Sequence, residues 1–242
     1  MRLAVAGGTG LVGRLVVEEA AARGHEVVVL ARSAGTDLTT GTGLAQRLAG
    51  VEAVVDATNH VSQKRAEAEA FFGGVTRHLL DAEAAAGVGH HVVLSIVGID
   101  DVDTGYYAGK RLQERLVAEG PLPWTVLRAT QFHEFAEQAL GFARVGPFSL
   151  VPRMLSQPVA AREVAAHLVD LAEAGPAGRA PELAGPERHQ MTDLARRVAR
   201  GRRVVPVPLP GKAGRAMRAG ALCPAGAGPR GRLTFEEWLA AR

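Results

Sequence analysis

Cysteine is almost absent from this chain. Cys223 is the single thiol among 242 residues, so no internal disulfide is available, and no Cys/His spacing suits structural zinc. A reducing, cytoplasmic setting is expected. Long apolar runs are absent as well. The opening Met1-Arg2-Leu3-Ala4-Val5-Ala6 breaks at Gly7-Gly8, which is too short for the apolar region of a signal peptide, and no stretch of about 18 apolar residues follows. Neither secretion nor a membrane span is expected. There is no internal repeat. What remains is globular in character: 47% hydrophobic and 22% charged residues, proportions that exclude a disordered, collagen-like or coiled-coil chain.

Charge is balanced overall, at +3, but unevenly spread. Residues 194–232 hold Arg196, Arg197, Arg200, Arg202, Arg203, Lys212, Arg215, Arg218, Arg230 and Arg232 and no acid, so the rest of the chain is net negative. This basic stretch has no aromatic side chain for base stacking and matches no nucleic-acid module. A solvated basic surface is expected in place of DNA or RNA binding.

The first half alternates short β-branched runs with helical patterns, the signature of βαβ units around a parallel sheet. Strands are expected at Leu3–Ala6, Glu26–Ala31, Ala53–Thr58, His91–Ser95 and Trp124–Arg128, with helices at Leu11–Arg23, Phe72–Ala86 and Tyr106–Glu119. Thr104 is the expected N-cap of the last. Only about twenty residues separate the second and third strands, so a strand at Thr36–Leu38 must be abbreviated and the helix over Gly43–Leu48 very short. The fold class is α/β, a Rossmann-type doubly wound parallel sheet. From Gly146 the pattern shifts to longer loops, with helices at Ala161–Glu173 and Met191–Arg200 and strands near Phe148–Val151 and Val204–Val207. Pro208–Arg232, dense in Gly, Ala and Pro, is poorly patterned and expected to be partly disordered. One domain over 1–242 is expected, with 146–242 contributing a small substrate-side subdomain and a variable tail.

Gly7-Gly8-Thr9-Gly10-Leu11-Val12-Gly13 sits between the first strand and the first helix. A strand, a glycine turn and a helix N-terminus aim backbone N–H groups and the positive end of the helix dipole at one spot, where a pyrophosphate is stabilised. Gly7 makes the turn, Gly10 clears space for phosphates, and Gly13 lets helix and strand pack closely. Dinucleotide binding follows. The second strand ends in Leu30-Ala31-Arg32-Ser33, where an NAD-specific fold would place a carboxylate against the ribose. The Arg32 guanidinium suits a 2′-phosphate instead, so NADP(H) is the expected cofactor.

Tyr106-Tyr107-Ala108-Gly109-Lys110 is the strongest catalytic signal. The chain has two tyrosines and three lysines, and a Tyr-x-x-x-Lys spacing arises by accident with an expectation of about 0.02. On a helix, Tyr106 and Lys110 share a face. A phenol with a pKa near 10 needs about 4 kcal/mol of differential stabilisation to act as acid/base near neutrality. Lys110 and an oxidised nicotinamide are the expected sources of that stabilisation, with Ser95 orienting the substrate oxygen.

These motifs, with Asp56-Ala57-Thr58-Asn59 and Trp124-Thr125-Val126-Leu127-Arg128-Ala129-Thr130-Gln131-Phe132, together resemble the short-chain dehydrogenase/reductase superfamily. The nearest branch is similar to the atypical NmrA-like NAD(P)H-binding proteins. The resemblance covers residues 3–135 well and continues weakly to the C-terminus. It implies that Gly7, Thr9, Gly10, Leu11, Val12, Arg32 and Ser33 contact cofactor phosphates and ribose. It further implies that Thr58 and Asn59 lie along the cofactor, that Lys110 holds the nicotinamide ribose, and that Ala129, Thr130 and Phe132 sit beside the nicotinamide.

The expected activity is NADPH-dependent hydride transfer to a carbonyl, quinone or activated alkene of a small organic molecule, with Tyr106 as proton donor, by a monomer or homodimer. A redox-sensing regulator of the NmrA-like type and a non-redox isomerase or lyase are the alternatives. No metal is expected, since His133-Glu134-Phe135-Ala136-Glu137 lacks the second histidine of a zincin. His133 and Glu134 read either as substrate contacts or as a surface pair opening a helix.

Overall fold

A computed structural model describes residues 1–242. From the N-terminus, strand β1 (Arg2–Ala6) leads into helix α1 (Leu11–Ala22), then β2 (Glu26–Leu30), a 3-10 turn at Arg32–Ala34, and the one-turn helix α2 (Leu44–Arg47). Next come β3 (Ala53–Asp56), the long α3 (Arg65–Ala86), β4 (His90–Ile96), α4 (Gly105–Glu119) and β5 (Trp124–Ala129). The remainder comprises α5 (Phe135–Ala139), β6 (Arg144–Val145), β7 (Phe148–Pro152), β8 (Leu155–Ser156), α6 (Ala161–Ala174) and β9 (Gly178–Arg179). It closes with β10 (His189–Gln190), α7 (Met191–Arg197), β11 (Arg203–Val207), α8 (Gly211–Ala219) and α9 (Phe235–Ala240). No helix is long and apolar enough to cross a membrane.

The chain forms two compact units: Met1–Ser95 with Thr104–Arg128 and Arg162–Ala180, and Ile96–Asp103 with Ala129–Ala161 and Pro181–Arg242. The pattern change at Gly146 falls inside the second.

The first unit is built on a six-stranded sheet in the order β2-β1-β3-β4-β5-β9. β1 pairs in parallel with both β2 and β3, β3 with β4, and β5 with β9. Strand order therefore reverses at β1, whose carboxyl end is the switch point where such folds take a ligand. Helices cover both faces of a parallel sheet, so its central strands read as continuous apolar runs. Leu3, Ala4, Val5 and Ala6 are fully buried, as are Ala53, Val54 and Val55. One core cluster joins Leu30, Leu44, Leu48, Val54, Val75 and Leu79, and each large aliphatic side chain so buried contributes about 1.5–3 kcal/mol.

Two expectations change here. The strand at Thr36–Leu38 shrinks to a single bridge between Asp37 and Thr42, because the chain between β2 and β3 is too short for another strand and a full crossover helix. α3 begins at Arg65 instead of Phe72. Its first turns alternate alanine with charged residues, so Ala68 faces the interior without leaving an apolar stripe in the sequence.

The second unit has small sheets. β11 pairs in parallel with β7, which pairs antiparallel with β6, and β10 pairs antiparallel with β8. His133, Phe235 and Trp238 form an aromatic cluster, and α9 opens with a capping box in which Thr234 and Glu237 bond reciprocally. Pro208–Arg232 is structured over much of its length, contrary to expectation. α8 lies within it, and Arg218 Nη1 donates to the Leu209 carbonyl at 2.9 Å. A Cβ on Gly214 would collide with that same carbonyl. α8 thus packs by close backbone approach and carries no row of large apolar side chains, which is why its composition read as structureless. The α7 helix also stops at Arg197, short of the expected Arg200.

Candidate active site

At the end of β1 the backbone turns through Gly7, whose φ of +74° is left-handed. Its N–H donates to the Leu30 carbonyl at 3.2 Å, and the Gly10 N–H returns to the Gly7 carbonyl at 2.9 Å. A Cβ on Gly7 would lie 3.0 Å from the Ala57 carbonyl oxygen and 3.1 Å from the Thr58 Cα, and one on Gly13 would collide with the Gly7 carbonyl. Both positions demand glycine. α1 opens on Gly10 with no side-chain cap and no acid in its first turn, which leaves N–H groups and the positive dipole end for an anion. A Cβ on Gly10 meets only the Gly7 carbonyl oxygen, at 3.3 Å, so the space above the turn is open. Thr9 is exposed, Leu11 half-buried and Val12 buried along the same turn. This cradle fits a pyrophosphate.

Arg32 and Ser33 stand exposed on the 3-10 turn that follows β2. The Asp37 carboxyl nearby is held below the usual carboxylate range by hydrogen bonds from the Thr39 hydroxyl and N–H, with the Arg32 charge adding to them.

After β3, Thr58 and Asn59 continue the line from the glycine turn. The Thr58 N–H donates to Asp56 Oδ1 at 2.9 Å, and its buried hydroxyl has no protein partner. Asn59 is exposed, and its Oδ1 accepts the Tyr106 phenol proton at 2.7 Å. Thr104 caps α4 as expected, accepting from the Tyr107 N–H. The glycine turn, Thr58, Asn59 and Tyr106 are thus brought together in the first unit.

Lys110 is placed differently from expectation. It is only 3% exposed. Its ammonium donates to the Leu94 carbonyl at 2.6 Å and to Gln113 Oε1, and it lies 4.9 Å from the Phe72 ring centroid. Gln113 in turn donates to Asp56 Oδ2 at 2.8 Å. Burial pushes the Lys110 pKa down to about 8, against the pull of Asp56 and Glu114. The Tyr106 phenol packs on the same Phe72 ring, 5.9 Å between centroids. Its pKa is raised by burial and by the neighbouring Tyr107, not lowered by Lys110 as the spacing implied. Tyr107 is pushed up to about 12 by burial. Sharing a helix face was not enough to bring ammonium to phenol, because the flexible lysine chain turned inward to satisfy buried acceptors.

Ser95 also departs from its expected place against a substrate oxygen. It is 2% exposed, and its buried hydroxyl has no hydrogen-bond partner in the protein. Burial pushes the Glu114 carboxyl up, but hydrogen bonds from Arg128 and Arg179, with the Arg128 charge, outweigh it and hold the group below the usual carboxylate range. Arg128 grips Glu114 through Nε at 2.8 Å and Nη2 at 2.7 Å, and Arg179 Nη1 adds a contact at 2.8 Å. Sequence reasoning missed this network of Asp56, Gln113, Glu114, Arg128 and Arg179. Its signal was present: Lys110, Gln113 and Glu114 are spaced i, i+3, i+4 on a helix whose same face carries buried Val117.

In the second unit, Ala129 and Thr130 are buried. The Thr130 N–H donates to the Leu183 carbonyl at 3.0 Å and its hydroxyl to the Gln157 carbonyl at 2.6 Å. Phe132 is half-buried and bridges to Val159. Between them both amide atoms of Gln131 are buried without a protein partner, a deficit that a polar ligand group would make good. His133 is not a surface residue. It is 1% exposed, and its Nε2 is 3.0 Å from the Leu233 carbonyl within the Phe235 and Trp238 cluster.

A glycine turn at the switch point of a parallel sheet, with an uncapped helix above it, defines a Rossmann-type nucleotide-binding α/β protein. The NAD(P)H-binding family matches residues 7–174, and the chain belongs to that family. It is 32% identical over 221 residues to a (4-alkanoyl-5-oxo-2,5-dihydrofuran-3-yl)methyl phosphate reductase from Streptomyces griseus, covering 81% of this chain and 73% of the relative. Among solved structures it is similar to a short-chain dehydrogenase/reductase superfamily protein from Agrobacterium tumefaciens with bound NAD, at a TM-score of 0.70 and 20% identity over 100% of this chain and 95% of that one. It is similar also to an NADPH-dependent quinone oxidoreductase from Escherichia coli complexed with NADPH, at a TM-score of 0.71 and 19% identity over 99% of each chain. The fold expected from the superfamily resemblance is the fold observed.

Proposed function

We propose that this protein is an NADPH-dependent oxidoreductase acting on a small organic molecule that bears a carbonyl, a quinone or an activated alkene, with Tyr106 as proton donor. The observation that carries the reading is the Tyr106 phenol, hydrogen-bonded to Asn59 next to the glycine turn. When bound, reduced nicotinamide supplies a hydride to an electrophilic carbon. The remaining needs fall to side chains. Tyr106, its pKa raised, stays protonated through neutral pH, which is the form that gives a proton to the oxygen or carbanion left by hydride addition. A substrate oxygen replaces Asn59 as its hydrogen-bond partner, and solvent later restores the phenol proton. Lys110, Gln113 and Asp56 act from beneath as positioning residues, tying α4 to the ends of β3 and β4, and Glu114 through Arg128 ties it to β5.

Arg32 and Ser33 hold the 2′-phosphate, which sets the preference for NADPH over NADH. Gly7, Thr9, Gly10, Leu11 and Val12 cradle the pyrophosphate, and Thr58 and Asn59 line the path beyond it. The Streptomyces griseus relative is by its name a reductase of a 5-oxo-2,5-dihydrofuran, a ring whose alkene is conjugated to a carbonyl, and this likeness supports trying activated alkenes first. The NmrA-like branch and a cytoplasmic setting belong to the same proposal.

The test is NADPH oxidation followed at the nicotinamide absorbance across unsaturated lactones, quinones and ketones. Saturable turnover with at least one conjugated acceptor is expected. Tight NADPH binding with no turnover on any of them would contradict the enzyme reading and favour a redox-sensing protein.

A further inference from the structure

Three arginines converge on one cleft in the second unit, away from any residue assigned above. The cleft has a volume of about 440 Å³ and is lined by Arg153, Arg196 and Arg218, with Gln190, Thr192 and Asp193 beside them. They arrive from separate elements. Arg153 follows β7, where its backbone N–H is fixed to the Val207 carbonyl at 2.9 Å. Gln190 ends β10, in register with Leu155 of β8. Thr192, Asp193 and Arg196 come from α7, and Arg218 from the last turn of α8, where its Nη1 is anchored on the Leu209 carbonyl at 2.9 Å.

Three cations face one acid here. Asp193 already pairs with Arg196, at 2.6 Å, and the Arg153 side chain has no ion pair. Solvent screens these exposed guanidinium groups from one another, which leaves them free to take up an anion. Planar guanidinium groups from several directions match the tetrahedral oxygens of a phosphoryl group, each able to give two parallel hydrogen bonds. The volume lies in the range of small-molecule sites. No aromatic side chain lines it for a base to stack on, so a nucleic-acid strand does not fit the chemistry.

We propose that this cleft binds the phosphoryl dianion of a small molecule, either a phosphate ester or free phosphate. The site stands whether or not the redox reading above is correct, since it uses none of the same residues.

The test titrates the full chain with inorganic phosphate and with methyl phosphate, following 31P line width, with acetate as a control anion. Both phosphates are expected to bind and acetate to bind far more weakly. Arg153→Gln and Arg218→Gln should each weaken binding about tenfold or more, the worth of a charge-assisted contact. Arg215→Gln, the same charge change on α8 outside the cleft, should change it little. Comparable affinity for both phosphates identifies an ester-binding site, and binding of inorganic phosphate alone identifies a free-phosphate site. The proposal is overturned if neither phosphate binds, if Arg215→Gln weakens binding as much as Arg153→Gln, or if phosphate binds in a way that ignores Arg153 and Arg218, as occupancy of the glycine turn alone would.

Discussion

The two units differ in the charge they enclose. The first, beside exposed pairs such as Arg14–Glu18, also buries a set of charged groups: Lys110 is 3% exposed and Glu114 2%, and the pair of His91 and Glu83 is fully enclosed at 2.9 Å. The second carries its surplus of arginine outward, with pairs such as Arg196–Asp193 standing in solvent. Buried charge needs full partnering and then fixes geometry, whereas exposed charge is cheap and free to meet ligands. The contrast matches a division between a unit whose polar groups hold α4 and the strand ends in place and a unit whose cations are available for recognition.

Substitutions in each unit test this contrast. Gly10→Val should fold, because only the Gly7 carbonyl lies near the added carbon, yet its side chain should fill the open space over the turn. NADPH titration is expected to show a loss of affinity on the order of 100-fold or more, and unchanged affinity in a folded variant would remove the cradle from the account. Glu114→Gln leaves Arg128 without its anion and should cost about 3 kcal/mol in urea unfolding. Its counterpart in the second unit, Arg196→Gln, should cost less than about 1 kcal/mol. Equal costs would erase the distinction between the units.

Lys110 supplies a pH test. Its pKa falls from 10.5 to about 8 on folding, so between those values the unfolded chain holds more protons and stability rises with pH. Unfolding midpoints at pH 7.5 and 9.5 should show a gain in wild type, up to about 3 kcal/mol over the full window, that Lys110→Met lacks. Parallel pH dependences in the two proteins would mean that the ammonium is not buried as described. Arg32→Ala should reduce the preference for NADPH over NADH by about 1.5–3 kcal/mol, and a wild type that binds both cofactors equally would refute Arg32 as the 2′-phosphate contact.

Features set by neighbours in sequence are legible in the sequence itself. The strands of the first unit announce themselves as unbroken apolar runs, and the glycine turn reads directly because Gly7 and Gly13 have no tolerable substitute. The Thr104 cap could be read in the same way. What needed the structure was orientation. Tyr106 and Lys110 share a helix face, but whether ammonium meets phenol or turns to the Leu94 carbonyl depends on Phe72, Gln113 and Asp56, which come from three different elements. His133 looked accessible because its cluster partners Phe235 and Trp238 lie about a hundred residues further on. α8 was hard to see because it buries only Gly214 and Met217 and so carries no row of large apolar side chains.

The central claim is that Tyr106 gives the proton in an NADPH-dependent reduction. The most direct test is to compare Tyr106→Phe with wild type on the best acceptor from the panel, measuring NADPH affinity and turnover in the same preparation. The ring and its packing on Phe72 survive the substitution, so affinity should be unchanged while turnover falls by about 10²- to 10⁴-fold. Full turnover in Tyr106→Phe, with cofactor still bound, would contradict the claim and assign the proton to another donor.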